Sequence, residues 1–90
     1  MFSTPLFGAV CFFDETDEIK FGFVISKKIS KRAVDRNKIK RRMCEVLRKD
    51  LNKFKSGTKI IFLAKKSLLG AKMEDIEKEI NKLIKTPQSR

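Results

Sequence analysis

Between Lys27 and Arg42 the chain places Lys27, Lys28, Lys31, Arg32, Arg36, Lys38, Lys40, Arg41 and Arg42, opposed only by Asp35. Nine cations less one acid put +8 of the chain's net +11 into this one segment. Such density suits the neutralisation of an array of phosphates. Arginine offers a planar fork that grips two phosphate oxygens at once, and lysine a mobile point charge. Charge this far from zero also implies an anionic partner and salt-sensitive association. A solvated surface helix, a membrane-surface helix and an acidic protein partner are the competing readings. The density of cations, with Arg and Asn37 among the lysines, favours nucleic acid.

Other chemistries find little support. The chain has no histidine, and its two cysteines, Cys11 and Cys44, stand far apart, so no zinc site of ordinary ligand number can be assembled. They are expected to be buried, reduced thiols. No Ser/His or Cys/His arrangement, glycine-rich phosphate loop or placed carboxylate pair occurs, so no residue is assigned a catalytic role. The acidic run Asp14–Glu18 lacks fixed metal-loop spacing and reads as a solubilising loop. The apolar stretch Leu6–Phe13 is too short for a bilayer, has no basic region before it and is followed by acids. The expectation is a cytoplasmic protein without a membrane partner.

The elements that must position the cations follow from periodicity. Ninety residues suffice for a single domain, 1–90, with one modest core. Leu6–Phe13 and Ile19–Ser26 are apolar runs joined by a polar loop, which predicts an antiparallel strand pair. Gly8 and Gly22 within them suggest a bulge or the close approach of another backbone or a ligand. Ile39, Met43, Val46, Leu47, Leu51 and Phe54 recur at helical spacing. That leaves Asn37, Lys38, Arg41, Arg42, Glu45, Arg48 and Lys49 on the other face. Arg36 and Lys40 lie beside the apolar stripe, either near the helix start or reaching along its rim. Asp35 is the expected N-cap. Lys59–Ala64 predicts a third strand, and Met73, Ile76, Ile80, Leu83 and Ile84 a closing helix. The order β-β-α-β-α predicts an α+β two-layer sandwich with helices on one sheet face. The other face stays open and carries Phe and Val side chains. One or two phenylalanines there could stack on single-stranded bases. If the strands flanking the basic helix are parallel neighbours, Lys27-Lys28 and Lys65-Lys66 emerge at one end of the sheet.

Residues 22–48 read GFVISKKISKRAVDRNKIKRRMCEVLR. This run closely resembles the signature of the bacterial ribonuclease P protein family, G-x-x-[VI]-S-K-K at a strand end followed by A-V-x-R-N-[RK]-I-K-R on a helix. The run IIFLAKK and the final helix are similar to the family's closing elements, so the resemblance spans about residues 6–85. It implies a left-handed β-α-β crossover, against the usual rule. It also implies a partnership with the catalytic RNA of ribonuclease P and with precursor tRNA, as a monomer in a 1:1 complex with the RNA. The holoenzyme removes the 5′ leader of precursor tRNA, using Mg²⁺ held by the RNA and none held by the protein alone. Arg36, Asn37, Lys38, Lys40, Arg41 and Arg42 match the family's RNA-docking helix. Lys28, Lys31, Arg32 and Arg48 extend that basic surface. Ser26, Lys27 and Lys65 match the leader path. Family members usually begin with a basic helix that walls the leader cleft, whereas here Met1–Pro5 leads almost directly into the first strand. Either the lineage lacks that helix or the chain has been shortened; docking on the catalytic RNA is expected to survive. One extra residue falls within Ser30–Arg32.

The rival readings make separate demands. A ribosomal-protein-like binder of structured RNA has no effect on tRNA cleavage. A DNA-binding module needs base-reading side chains on a recognition helix. A membrane-binding protein takes up anionic vesicles without RNA.

Overall fold

The structure, a computed structural model, describes residues 2–85. Its elements are β1 (Phe2–Ser3), β2 (Phe7–Phe13), β3 (Lys20–Val24), α1 (Ala33–Lys49), β4 (Thr58–Ala64) and α2 (Met73–Lys85). Short 3₁₀ turns at Leu51–Lys53 and Lys66–Gly70 follow α1 and β4. The result is the expected α+β arrangement, extended by the two-residue strand β1. Between β1 and β2 the chain reverses around Thr4, whose Oγ1 accepts the Leu6 and Phe7 amides at 3.1 and 3.0 Å.

The sheet order is β1-β2-β4-β3. The antiparallel pair expected of the first two apolar runs does not form. β4 lies between them, antiparallel to β2 and parallel to β3. Ile60-Ile61-Phe62-Leu63-Ala64 is nearly continuous apolar sequence, and it pairs along its length with β2 on one side and β3 on the other. The connector Asp14–Ile19 is long enough to carry the chain past it. The connection from β3 through α1 to β4 therefore joins adjacent parallel strands.

Alternation along the strands sorts their side chains by face. Phe7 and Ala9 of β2, with Ile60 and Phe62 of β4, turn toward the helices and are buried. They meet Ile39, Met43, Val46 and Leu47 of α1 and Ile76, Ile80 and Leu83 of α2. Phe7 and Phe62 pack edge to face at 5.3 Å between ring centroids, and Phe23 stacks on Phe62 at 5.6 Å. The helix stripe read from sequence runs one element too far. α1 ends at Lys49, where the Asp50 amide bonds Val46 O, and Leu51 beyond it is 42% exposed. Both cysteines are free thiols, and each is half-buried rather than buried.

Candidate nucleic-acid interface

α1 begins one turn earlier than a cap at Asp35 requires. Arg32 occupies the N-cap position without a side-chain cap, and Asp35 lies in the first turn. Ser30 provides the local organisation: its hydroxyl donates to Asp35 Oδ2 at 2.9 Å and accepts the Arg32 amide at 3.2 Å. Ala33 and Val34 are taken into the helix because this Ser30–Asp35 bridge closes the preceding turn. Asp35 still meets the positive end of the helix dipole.

Along α1, Asn37, Lys38, Lys40, Arg41 and Arg48 are exposed. At 100° and about 1.5 Å per residue, Asn37, Arg41 and Arg48 fall within about 40° of one another along roughly 16 Å of helix. Past Asp35, Glu45 is the helix's only acid. No acid pairs with Lys38, Lys40, Arg41 or Arg48 among the described residues, whereas Lys49 reaches Glu77 of α2 at 3.5 Å.

Two of the expected RNA-facing arginines have structural partners. Arg36 is half-buried, and its Nη1 donates to Ser30 O at 2.8 Å. This settles the ambiguity of its position in the stripe: it lies inside the helix and reaches back along the rim, while Lys40 stays exposed. Arg42, placed by periodicity on the outer face, is half-buried and donates from Nη1 to Ala71 O at 3.1 Å. It ties α1 to the turn before α2. A guanidinium carries five donors, so each keeps capacity for a phosphate. Lys28, Lys31 and Arg32 are exposed in the segment leading to α1.

The open sheet face lies on the side away from the helices. Cross-strand register sets out three rows there: Gly8, Leu63 and Val24; Val10, Ile61 and Gly22; and Phe12, Lys59 and Lys20. Phe12 is 47% exposed and Val24 52%, with Val10 and Ile61 also exposed. Phe12 is thus the strand phenylalanine that faces outward, and the others largely build the core. A Cβ at Gly22 would meet Ile61 Cγ1 at an ordinary 3.8 Å. No backbone approaches there and the register shows no bulge, so Gly22 leaves the face flat. Of this face, only Gly8 and Gly22 were singled out from sequence; Val10, Phe12, Val24 and Ile61 were not, although the alternation Phe7-Ala9-Cys11 against Val10-Phe12 already carried the signal.

Cations gather at one end of that face. The Val24–Leu63 register brings the ends of β3 and β4 together, so Lys27, Lys28, Lys65 and Lys66 emerge at the same sheet end, as the parallel arrangement requires. Ser26 is exposed beside them, its hydroxyl accepting the Lys28 amide at 3.1 Å, while Ile29 anchors the turn in the core. Lys65 Nζ donates to Ser3 Oγ and Thr4 O, both at 2.7 Å. These partners are neutral, so they orient Lys65 without cancelling its charge.

The opposite end is acidic. The loop after β2 folds back on the open face, where Lys59 Nζ donates to Asp14 Oδ1 at 3.1 Å, to Thr16 Oγ1 at 3.0 Å and to Glu18 O. Hydrogen bonds from Thr16, and beyond it from Lys59, hold the Asp14 carboxyl below the ordinary carboxylate range against the opposing pull of desolvation. Lys20 pairs with Glu18 at 3.0 Å, a contact that raises its pKa. Gly57, at φ +82°, permits the loop's close approach: a Cβ there would lie 2.6 Å from Asp14 O. The run read as merely solubilising is a fixed structural element.

The comparisons with known proteins fit this arrangement. The family model described as Ribonuclease P matches residues 2–88. The ribonuclease P protein component of Fusobacterium nucleatum is 41% identical over 70 residues, covering 73% of this chain and 62% of that protein. The chain thus spans less than two thirds of that relative's length. The corresponding protein of a Nitratiruptor species is 34% identical over 89 residues, covering 99% of this chain and 78% of its own. The solved RNase P protein of Thermotoga maritima superposes with a TM-score of 0.85 at 21% identity, over 97% of this chain and 82% of that one, which speaks for the fold. Sequence match along nearly the whole length, joined to a shared sheet-and-helix architecture, places this chain in the ribonuclease P protein family.

Proposed function

We propose that this chain acts in the cytoplasm as the protein subunit of ribonuclease P, pairing as a monomer with one catalytic RNA. The exposed face of α1, with Asn37, Lys38, Lys40, Arg41 and Arg48, docks on that RNA by phosphate neutralisation. Arg36 and Arg42 contribute the donors their structural bonds leave over, and Lys28, Lys31 and Arg32 extend the contact. The open sheet face receives the 5′ leader of precursor tRNA. Phe12 offers a ring to a leader base, while Ser26, Lys27 and Lys65 hold leader phosphates at the far end. Cleavage belongs to Mg²⁺ held by the RNA. The protein's part in this reading is to bind and orient the two RNAs.

The observation that carries this reading is that one chain presents two separate surfaces of different chemistry. A basic helix face with one acid, and an open apolar sheet face ending in four lysines, lie in one small fold. Filter binding of the matching catalytic RNA across a salt series tests the docking half. The double variant Arg41→Ala/Arg48→Ala is expected to lower the salt slope by about one unit for each phosphate it no longer neutralises. An unchanged slope refutes the assignment.

A further inference from the structure

The open sheet face has a charge gradient that sequence order hides. At the β3 and β4 C-terminal end stand Lys27, Lys28, Lys65 and Lys66, and no acid pairs with them among the described residues. At the other end lie Asp14, Glu15, Asp17 and Glu18, and the ion pairs among the described residues there are Lys59 with Asp14 and Lys20 with Glu18. Glu15 and Asp17 are exposed and have no ion-pair partner among the described residues. The loop is fixed where it stands by the Lys59 bonds and by the left-handed Gly57.

We propose that loop Asp14–Glu18 is an electrostatic stop that limits how many nucleotides of a single RNA strand the open face accepts. This rests on the leader-binding reading above. Phosphates are drawn to the lysine end and repelled at the loop, so a strand lies along the face only up to the Phe12 row. From the Val24–Leu63 row to the Lys20–Lys59 row is four residues, about 13 Å at 3.3 Å each. Stacked bases at about 3.4 Å fill that length with roughly four nucleotides. Further nucleotides must leave the face or meet like charge. Glu15 and Asp17 are the acting charges, because Asp14 and Glu18 are occupied in holding Lys59 and Lys20.

The test uses the full chain with unstructured oligouridylates of four and eight nucleotides at low salt. The native protein is expected to bind both with similar affinity. Glu15→Gln/Asp17→Asn, which leaves the Lys59 bonds in place, is expected to bind the eight-nucleotide probe about three- to tenfold tighter and the four-nucleotide probe as before. Equal changes for both lengths, or none, overturn the stop while leaving leader binding intact. Weaker binding of the longer probe also overturns it, since the acids would then aid the strand by way of a bridging cation. If the native protein binds neither probe, the leader-binding reading fails and the stop falls with it.

Discussion

At the scale of single residues, two neighbouring arginines do different work. Arg41 is exposed, whereas Arg42 holds Ala71 O. Arg42→Ala is therefore expected to lower unfolding free energy by about 1 kcal/mol as that hydrogen bond disappears. Arg41→Ala should leave stability within about 0.5 kcal/mol; urea unfolding of the two variants checks both. The sequence shows why this was not legible: Arg42 lies on the polar side of the helical wheel, and its acceptor is 29 positions away. The outward cations Lys38, Arg41 and Arg48 were legible, because the buried stripe Ile39-Met43-Val46-Leu47 alone fixes which way they point. Asp14 supplies a pH test. Its folded pKa is lowered, so its contribution is present at neutral pH and is lost only as pH falls through a value below the ordinary carboxylate range. Thr16, whose amide donates to Asp14 Oδ1 at 3.0 Å, reports the change. Its amide resonance is expected to hold steady through mild acid and move only under strong acid; movement near pH ~6, far above any carboxylate held low by hydrogen bonds, contradicts the assigned bonds.

At the scale of elements, the helices announced themselves and the strand neighbours did not. Period separates α1 and α2 from the strands, but it does not say which strands pair. Sequence proximity suggested β2 with β3, but β4 takes the place between them, antiparallel to β2 and parallel to β3. The central position makes Phe62 the most exacting core residue, packed against Phe7, Phe21 and Phe23. Phe62→Ala is expected to cost about 3–5 kcal/mol, measured by denaturant unfolding. The β2–β3 loop depends on a backbone conformation instead. Gly57→Ala must adopt φ +82° and displace Asp14 O, at a cost of about 1–2 kcal/mol or more. It should also free Lys59 from Asp14, which chemical labelling of lysine amines can follow.

At the scale of the whole molecule, the fold sets a basic helix face and an open apolar sheet face on different sides of one core. The core binds both helices to one side of the sheet, leaving α1 to present cations outward and the sheet to present apolar side chains elsewhere. Net charge predicted an anionic partner, but not the gradient across the open face. That gradient arises because parallel β3 and β4 end together in lysines while the β2–β3 loop returns to their start. The central claim is that these surfaces together serve tRNA leader removal, and cleavage of precursor tRNA by the matching catalytic RNA at low Mg²⁺ tests it most directly. Strong stimulation by the native chain is expected, with less from Arg41→Ala/Arg48→Ala and from Phe12→Ala. Tight RNA binding without any stimulation of cleavage would contradict it and point to a structured-RNA binder outside tRNA processing.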